Sequence, residues 1–106
     1  MAAPFQHRLV ELTGIEPARL GDPRALAAAI VAAAGAIGLA SDGPPLVRAG
    51  SSGVVVGAVA LDGHILLHTA PGAGLCLVDI VVRTPAPLAP GLEIIARRLG
   101  VRAPAG

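Results

Sequence analysis

The sequence has no Trp, no Tyr, no Lys and no Asn, and Phe5 is its single aromatic residue. With a single aromatic side chain it offers no platform on which successive bases of a single-stranded nucleic acid could stack. All eight basic residues are arginine, they are scattered, and the formal net charge is +1, so there is no basic stripe for nucleic acid either. Charge is scarce, at 14% of residues against 54% hydrophobic, which is the reverse of the balance that keeps a chain disordered. One cysteine, Cys76, excludes a disulfide framework and any zinc site built from several cysteines, and it leaves the redox compartment open. A membrane-spanning run is also missing. The longest uncharged stretch, Ala25 to Ser41, is short of the ~20 residues a span needs, is mostly alanine, and is interrupted by Gly35 and Gly38. It reads as a buried helix. Met1 to Arg8 lacks the charged-then-apolar pattern of a signal peptide. The expectation is a cytoplasmic protein with no nucleic-acid and no membrane partner.

What is present fits one domain over residues 1–106, with residues 1–5 and 102–106 fraying at the ends. Gln6 to Leu12 reads as a first strand. Asp22-Pro23 starts a helix, since Asp caps free amides and Pro suits the first helical position. That helix runs to about Ile37, with Leu26, Ile30, Ala33 and Ile37 along one stripe and Gly38 ending it. A loop over Ser41–Pro45 leads to a short strand at Leu46–Arg48. The valine-rich run from Gly53 to Leu61 favours a strand, Asp62-Gly63 reads as a hairpin turn, and Ile65–Thr69 is the return strand. Leu75–Val82 is a further strand, and a helix over Gly91–Leu99 follows Pro85, Pro87 and Pro90. This order predicts an α+β two-layer sandwich, one mostly antiparallel sheet with two helices on one face. The strands from Gly53 to Val82 are apolar at nearly every position, so the face without helices also needs cover. A homodimer, with sheets facing or edge-joined, provides it.

Strand alternation puts Asp62, His64, Leu66 and His68 on one face and Ile65 and Leu67 on the other. Two histidines four apart on a strand are about 13 Å apart, too far to share a metal ion. Each is either a hydrogen-bonded structural residue or a general acid–base group. Cys76 lies within apolar residues and reads as a small buried hydrophobe. Asp79 stands in the middle of an apolar strand and needs a partner. Arg83, farther along the same face of that strand, is the candidate, in a structural or a catalytic pair.

These residues resemble a known family, the bacterial S-adenosylmethionine decarboxylases. Ser52-Gly53-Val54-Val55-Val56, then Asp62-Gly63-His64-Ile65-Leu66-Leu67-His68-Thr69-Ala70-Pro71, then Val78-Asp79 follow its signature in order, and His7 to Leu12 is similar to its opening strand. The resemblance covers about Gln6 to Leu99 and implies a two-layer α+β protomer that dimerises. It also exposes departures. Family members cut their own chain before a serine and convert that serine to a pyruvoyl group. Gly63 holds that position here and has no hydroxyl, so the resemblance implies no processing and no pyruvoyl cofactor. Arg83 stands where the family has its proton-donating cysteine, Gly72 where it has an acid, and Ala70 where it has a bulky residue. Ser52 and His68 look like the pair that assists processing. Phe5 lies near one adenine-stacking position of the family, and Leu46 falls about where the second would be.

The resulting expectation is a pyruvoyl-free enzyme that performs acid–base chemistry on a small metabolite. Elimination, isomerisation or cyclisation, in natural-product biosynthesis, fits the available groups. His68 or His64 would act as acid or base, Asp79 or Asp62 would orient a histidine, and Arg83 would hold a carboxylate or stabilise negative charge. Phe5, Ser52, Asp62, Gly63, Ala70 and Gly72 would line the substrate pocket, with no metal. The alternative is a non-catalytic paralogue, or a binding module, that pairs with or regulates an active decarboxylase.

Overall fold

In the computed structural model, which describes residues 3–39 and 43–104, the apolar alternation becomes five strands. They are β1 (Phe5–Leu12), β2 (Leu46–Gly50), β3 (Gly53–Ala60), β4 (Gly63–Ala70) and β5 (Leu75–Arg83). They form one sheet in the order β1-β5-β4-β3-β2, and every neighbouring pair is antiparallel. The helices are α1 (Pro17–Leu20), α2 (Pro23–Ala36) and α3 (Ala89–Arg98), with a single 3-10 turn at Pro71–Ala73. The architecture is therefore the α+β two-layer sandwich, with three helices where the sequence pattern indicates two. No helix among the described residues is long and apolar enough to cross a membrane.

The core lies between the helices and one face of the sheet. Ile65, Leu67, Cys76, Val78 and Ile80 on that face have no exposed surface, and they meet Leu26, Ile30 and Ala33 of α2 and Leu92 and Ile95 of α3. Both ends of α2 follow the sequence signals. The Asp22 carboxylate accepts from the Ala25 amide at 3.2 Å, satisfying one free donor of the first turn. At the other end Gly38 takes φ +72, which lets the Leu39 amide reach the Ala34 carbonyl at 2.9 Å. The extra helix, α1, is a single turn sealed onto the sheet by a buried threonine. Thr69 Oγ1 donates to the Leu20 carbonyl at 2.8 Å and accepts from the Val54 amide at 2.9 Å.

Two local expectations are corrected. The β3–β4 connection is Leu61-Asp62, and Gly63 already belongs to β4, paired with Ala60. Gly63 takes φ +153, and a Cβ added there would overlap the Val81 carbonyl oxygen and lie 2.9 Å from Val82 Cα. The demand for glycine thus comes from the adjacent strand β5 and not from the turn. Nor do residues 3–5 fray: the Thr84 amide donates to the Pro4 carbonyl at 2.9 Å, the Thr84 hydroxyl to the Ala3 carbonyl at 2.7 Å, and Phe5 is in β1. At the other end Val101 and Ala103 pack against the core. Residues 1–2 and 105–106, and residues 40–42 around the expected loop, lie outside the described residues.

Candidate functional site

The sheet face without helices carries most of the polar chemistry. Because β5 runs between β1 and β4, register places His7, Val81 and His64 in one cross-strand row, and Leu9, Asp79 and Leu66 in the next. The Asp79 carboxylate consequently stands between two imidazoles from the flanking strands. His7 Nε2 is 2.6 Å from Asp79 Oδ1, a hydrogen bond, and His64 Nε2 is 3.5 Å from Oδ2, within ion-pair range. An ionised carboxylate has only lone pairs to offer, so in that bond the His7 Nε2 is the donor. The Asp79 and His64 side chains are 26% and 33% exposed, so the pair is half-buried yet open to a ligand. The three groups do not close on one point as metal ligands would.

A second group lies beside the first, one row towards the β3–β4 turn. Arg83 Nε donates to Asp62 Oδ1 at 3.0 Å, and its guanidinium covers the Phe5 ring at 4.6 Å from the centroid. Phe5 and Arg83 are directly paired across β1 and β5. The expected Asp79–Arg83 pair is not formed. Four residues of extended strand separate them by about 13 Å, so Asp79 turns to the histidines and Arg83 to Asp62.

The remaining expected site residues gather at the other end of β4. His68 lies opposite Leu77 and Val55, is exposed, and has no side-chain hydrogen bond among the described residues. Ser52 is exposed in the β2–β3 turn, Ala70 ends β4, and Gly72 is in the 3-10 turn. Seven residues of strand, about 23 Å, separate Gly63 from Ala70. Within one chain, then, Phe5, Asp62, Gly63, His64, Asp79 and Arg83 share one region and Ser52, Ala70 and Gly72 another. His68 lies between them, as many residues along β4 from the partner of Asp79 as His64 is on the other side. Cys76 is on the opposite, helix-covered face, and burial pushes its thiol up to about 12, which makes it a packed hydrophobe as expected.

His7 is the participant that the sequence pattern did not single out. It sits on the outward face of the first strand, but only the pairing of β1 with β5, strands more than sixty residues apart, brings it to Asp79. Local periodicity carries no information about that pairing.

Comparison with known proteins places this geometry in a family context. The family model described as S-adenosylmethionine decarboxylase matches residues 6–104. A crystal structure titled as the adenosylmethionine decarboxylase from Aquifex aeolicus VF5 superposes with a TM-score of 0.80 at 18% identity, covering 92% of this chain and 81% of that one. At that identity the likeness concerns the fold. No curated protein matches the chain.

Proposed function

The chain belongs to the S-adenosylmethionine decarboxylase family, and from that membership we propose an enzyme of altered chemistry, one that moves protons on a small metabolite without a pyruvoyl group. The observation that carries this reading is the His7–Asp79–His64 arrangement on the open sheet face. A half-buried carboxylate that holds two imidazoles is a means of fixing ring orientation and of stabilising whichever ring takes up a proton. His64, the less exposed imidazole, is the acid–base group. Asp79 orients it, and His7 hydrogen-bonds the same carboxylate from the other side. Arg83, already extended across Phe5, supplies a cation that can hold a substrate carboxylate or a developing negative charge. Elimination, isomerisation or cyclisation fits such a set.

The pyruvoyl group that the family implies does not fit the residues present. Its precursor is a side-chain hydroxyl, and Gly63, at the position resembling the modified serine, has none. Nor does the backbone there leave room for one, since even a Cβ would overlap the Val81 carbonyl oxygen.

A homodimer completes the proposal. Leu9, Leu46 and Val59 are 59%, 46% and 60% exposed on the face that carries the histidines, and a second copy stacked on this face would cover them. If the two-fold axis crosses the middle of the strands, the Ser52–Ala70 end of one protomer comes over the His64–Arg83 end of its partner. Residues that one chain keeps apart would then share a pocket.

The experiment has two arms. Intact mass gives one uncleaved chain, and two fragments breaking between residues 62 and 63 would overturn the pyruvoyl-free reading. A thermal-shift screen with S-adenosylmethionine, its decarboxylated form, amino acids and small lipophilic metabolites then identifies a ligand whose turnover is measured. His64→Ala and Asp79→Asn each lower that turnover at least 100-fold with the fold intact, the scale of lost general acid–base catalysis. Unchanged turnover in both variants excludes the assignment, and a ligand bound but never converted favours the non-catalytic paralogue.

A further inference from the structure

A second concave feature lies on the other side of the sheet, at its β1 edge. It is a cleft of about 510 Å³ between β1, α3 and the segment after α3, within the size range of small-molecule sites. Arg8 from β1, Arg97 from α3 and Arg102 from the following segment line it, with Glu93 as the one acid in the lining. None of the three arginine side chains has an ion-pair or hydrogen-bond partner among the described residues. Elsewhere in the chain Arg19 and Arg83 each face a carboxylate and Arg48 donates to a carbonyl, while the side chains of Arg24 and Arg98, outside the cleft, are likewise unpaired among the described residues. What sets the three apart is that they converge on one cleft.

Three like charges from separate elements repel one another, and a bound anion relieves that repulsion. The C-terminal end of a helix explains the placing of Arg97, but it does not explain Arg8, which is half-buried on a strand. Arginine presents a planar fork of donors that matches the oxygens of phosphate. Leu92 and Val101, also in the lining, give the cleft an apolar wall. We propose that this cleft binds the phosphate group of a small phosphomonoester, whose organic part packs on Leu92 and Val101. The site is on the opposite face from the histidine cluster and stands independently of the reaction performed there.

Inorganic phosphate is the first probe and phenyl phosphate the second, titrated calorimetrically into the full chain at fixed ionic strength, because exposed charge pairs are screened by salt. Both bind saturably at one site per chain, phenyl phosphate more tightly. Arg97→Gln and Arg102→Gln, at exposed positions that tolerate change, each weaken phosphate about tenfold, the scale of one lost charge-assisted hydrogen bond. Arg8→Gln does the same, with circular dichroism verifying that it is folded. Arg24→Gln, on the exposed start of α2, leaves affinity unchanged. The proposal is overturned if phosphate does not saturate, if Arg24→Gln weakens it as much as Arg97→Gln, or if folded Arg97→Gln and Arg102→Gln bind as the parent does.

Discussion

Gly63 and Cys76 are residues whose surroundings make sharp demands. At residue 63 a side chain must displace the β5 backbone, in a φ region that L residues rarely occupy. Gly63→Ser is therefore expected to destabilise the chain by about 3 kcal/mol or more, from strain and overpacking together. Urea unfolding checks this, and a serine variant as stable as the parent would show that the position is not constrained by its neighbour. At residue 76 burial raises the thiol from 9.0 to about 12. The unfolded chain loses that proton near pH 9 while the folded chain keeps it. Stability is thus complete below pH 9 and falls as pH rises towards 12. With no Lys and no Tyr in the sequence, no other side chain ordinarily titrates in that window. Between pH 8 and pH 10.5 the parent should lose about 2 kcal/mol of unfolding free energy, whereas Cys76→Ala, less stable at pH 8, should show almost no further decline.

Among the elements, α1 is tied to the sheet through one buried hydroxyl. One turn of helix is too short to persist unaided, and its last residue, Leu20, is held by the Thr69 hydroxyl that also satisfies the Val54 amide. Thr69→Val keeps the shape but leaves two buried backbone groups unpaired, at a cost of about 2–4 kcal/mol. Hydrogen exchange should accelerate at Val54 well before the rest of β3, and uniform protection across β3 would contradict the role given to Thr69. The elements also show what local pattern could reveal. Strand alternation sorted β4 into His64 and His68 on one side and Ile65 and Leu67 on the other, because neighbouring side chains on a strand must point oppositely. The Asp22 cap and the Gly38 terminator were equally legible, since each acts within a few residues. The short α1 was not, because its hold on the sheet comes from Thr69, far along the chain.

The whole molecule is a slab 42 × 31 × 18 Å, no thicker than one sheet with one layer of helices. So thin a body leaves the second face of its sheet in solvent, with Leu9 and Val59 more than half exposed. Light scattering at micromolar concentration should give the mass of two chains. Val59→Arg, which puts a charge on the face to be covered, should halve that mass while circular dichroism stays the same. A parent protein that runs as a clean monomer would remove the dimer, and with it the joining of the two site regions.

By itself the sequence determined the α+β class, the inward and outward faces of β4, the absence of a hydroxyl at residue 63 and the family resemblance. All of these depend on residue identity or on contacts a few residues apart. Tertiary structure alone decided the pairing of the first strand with the last, and so the partners of the charged groups. His7 reached Asp79 because β1 lies beside β5, and Arg83 turned to Asp62 because the β3–β4 turn lies at the end of β5. It also drew Arg8, Arg97 and Arg102, which are dispersed along the chain, around one cleft. Such meetings are set by the order of strands in the sheet and the packing of α3 against it, and no periodicity within a segment records them.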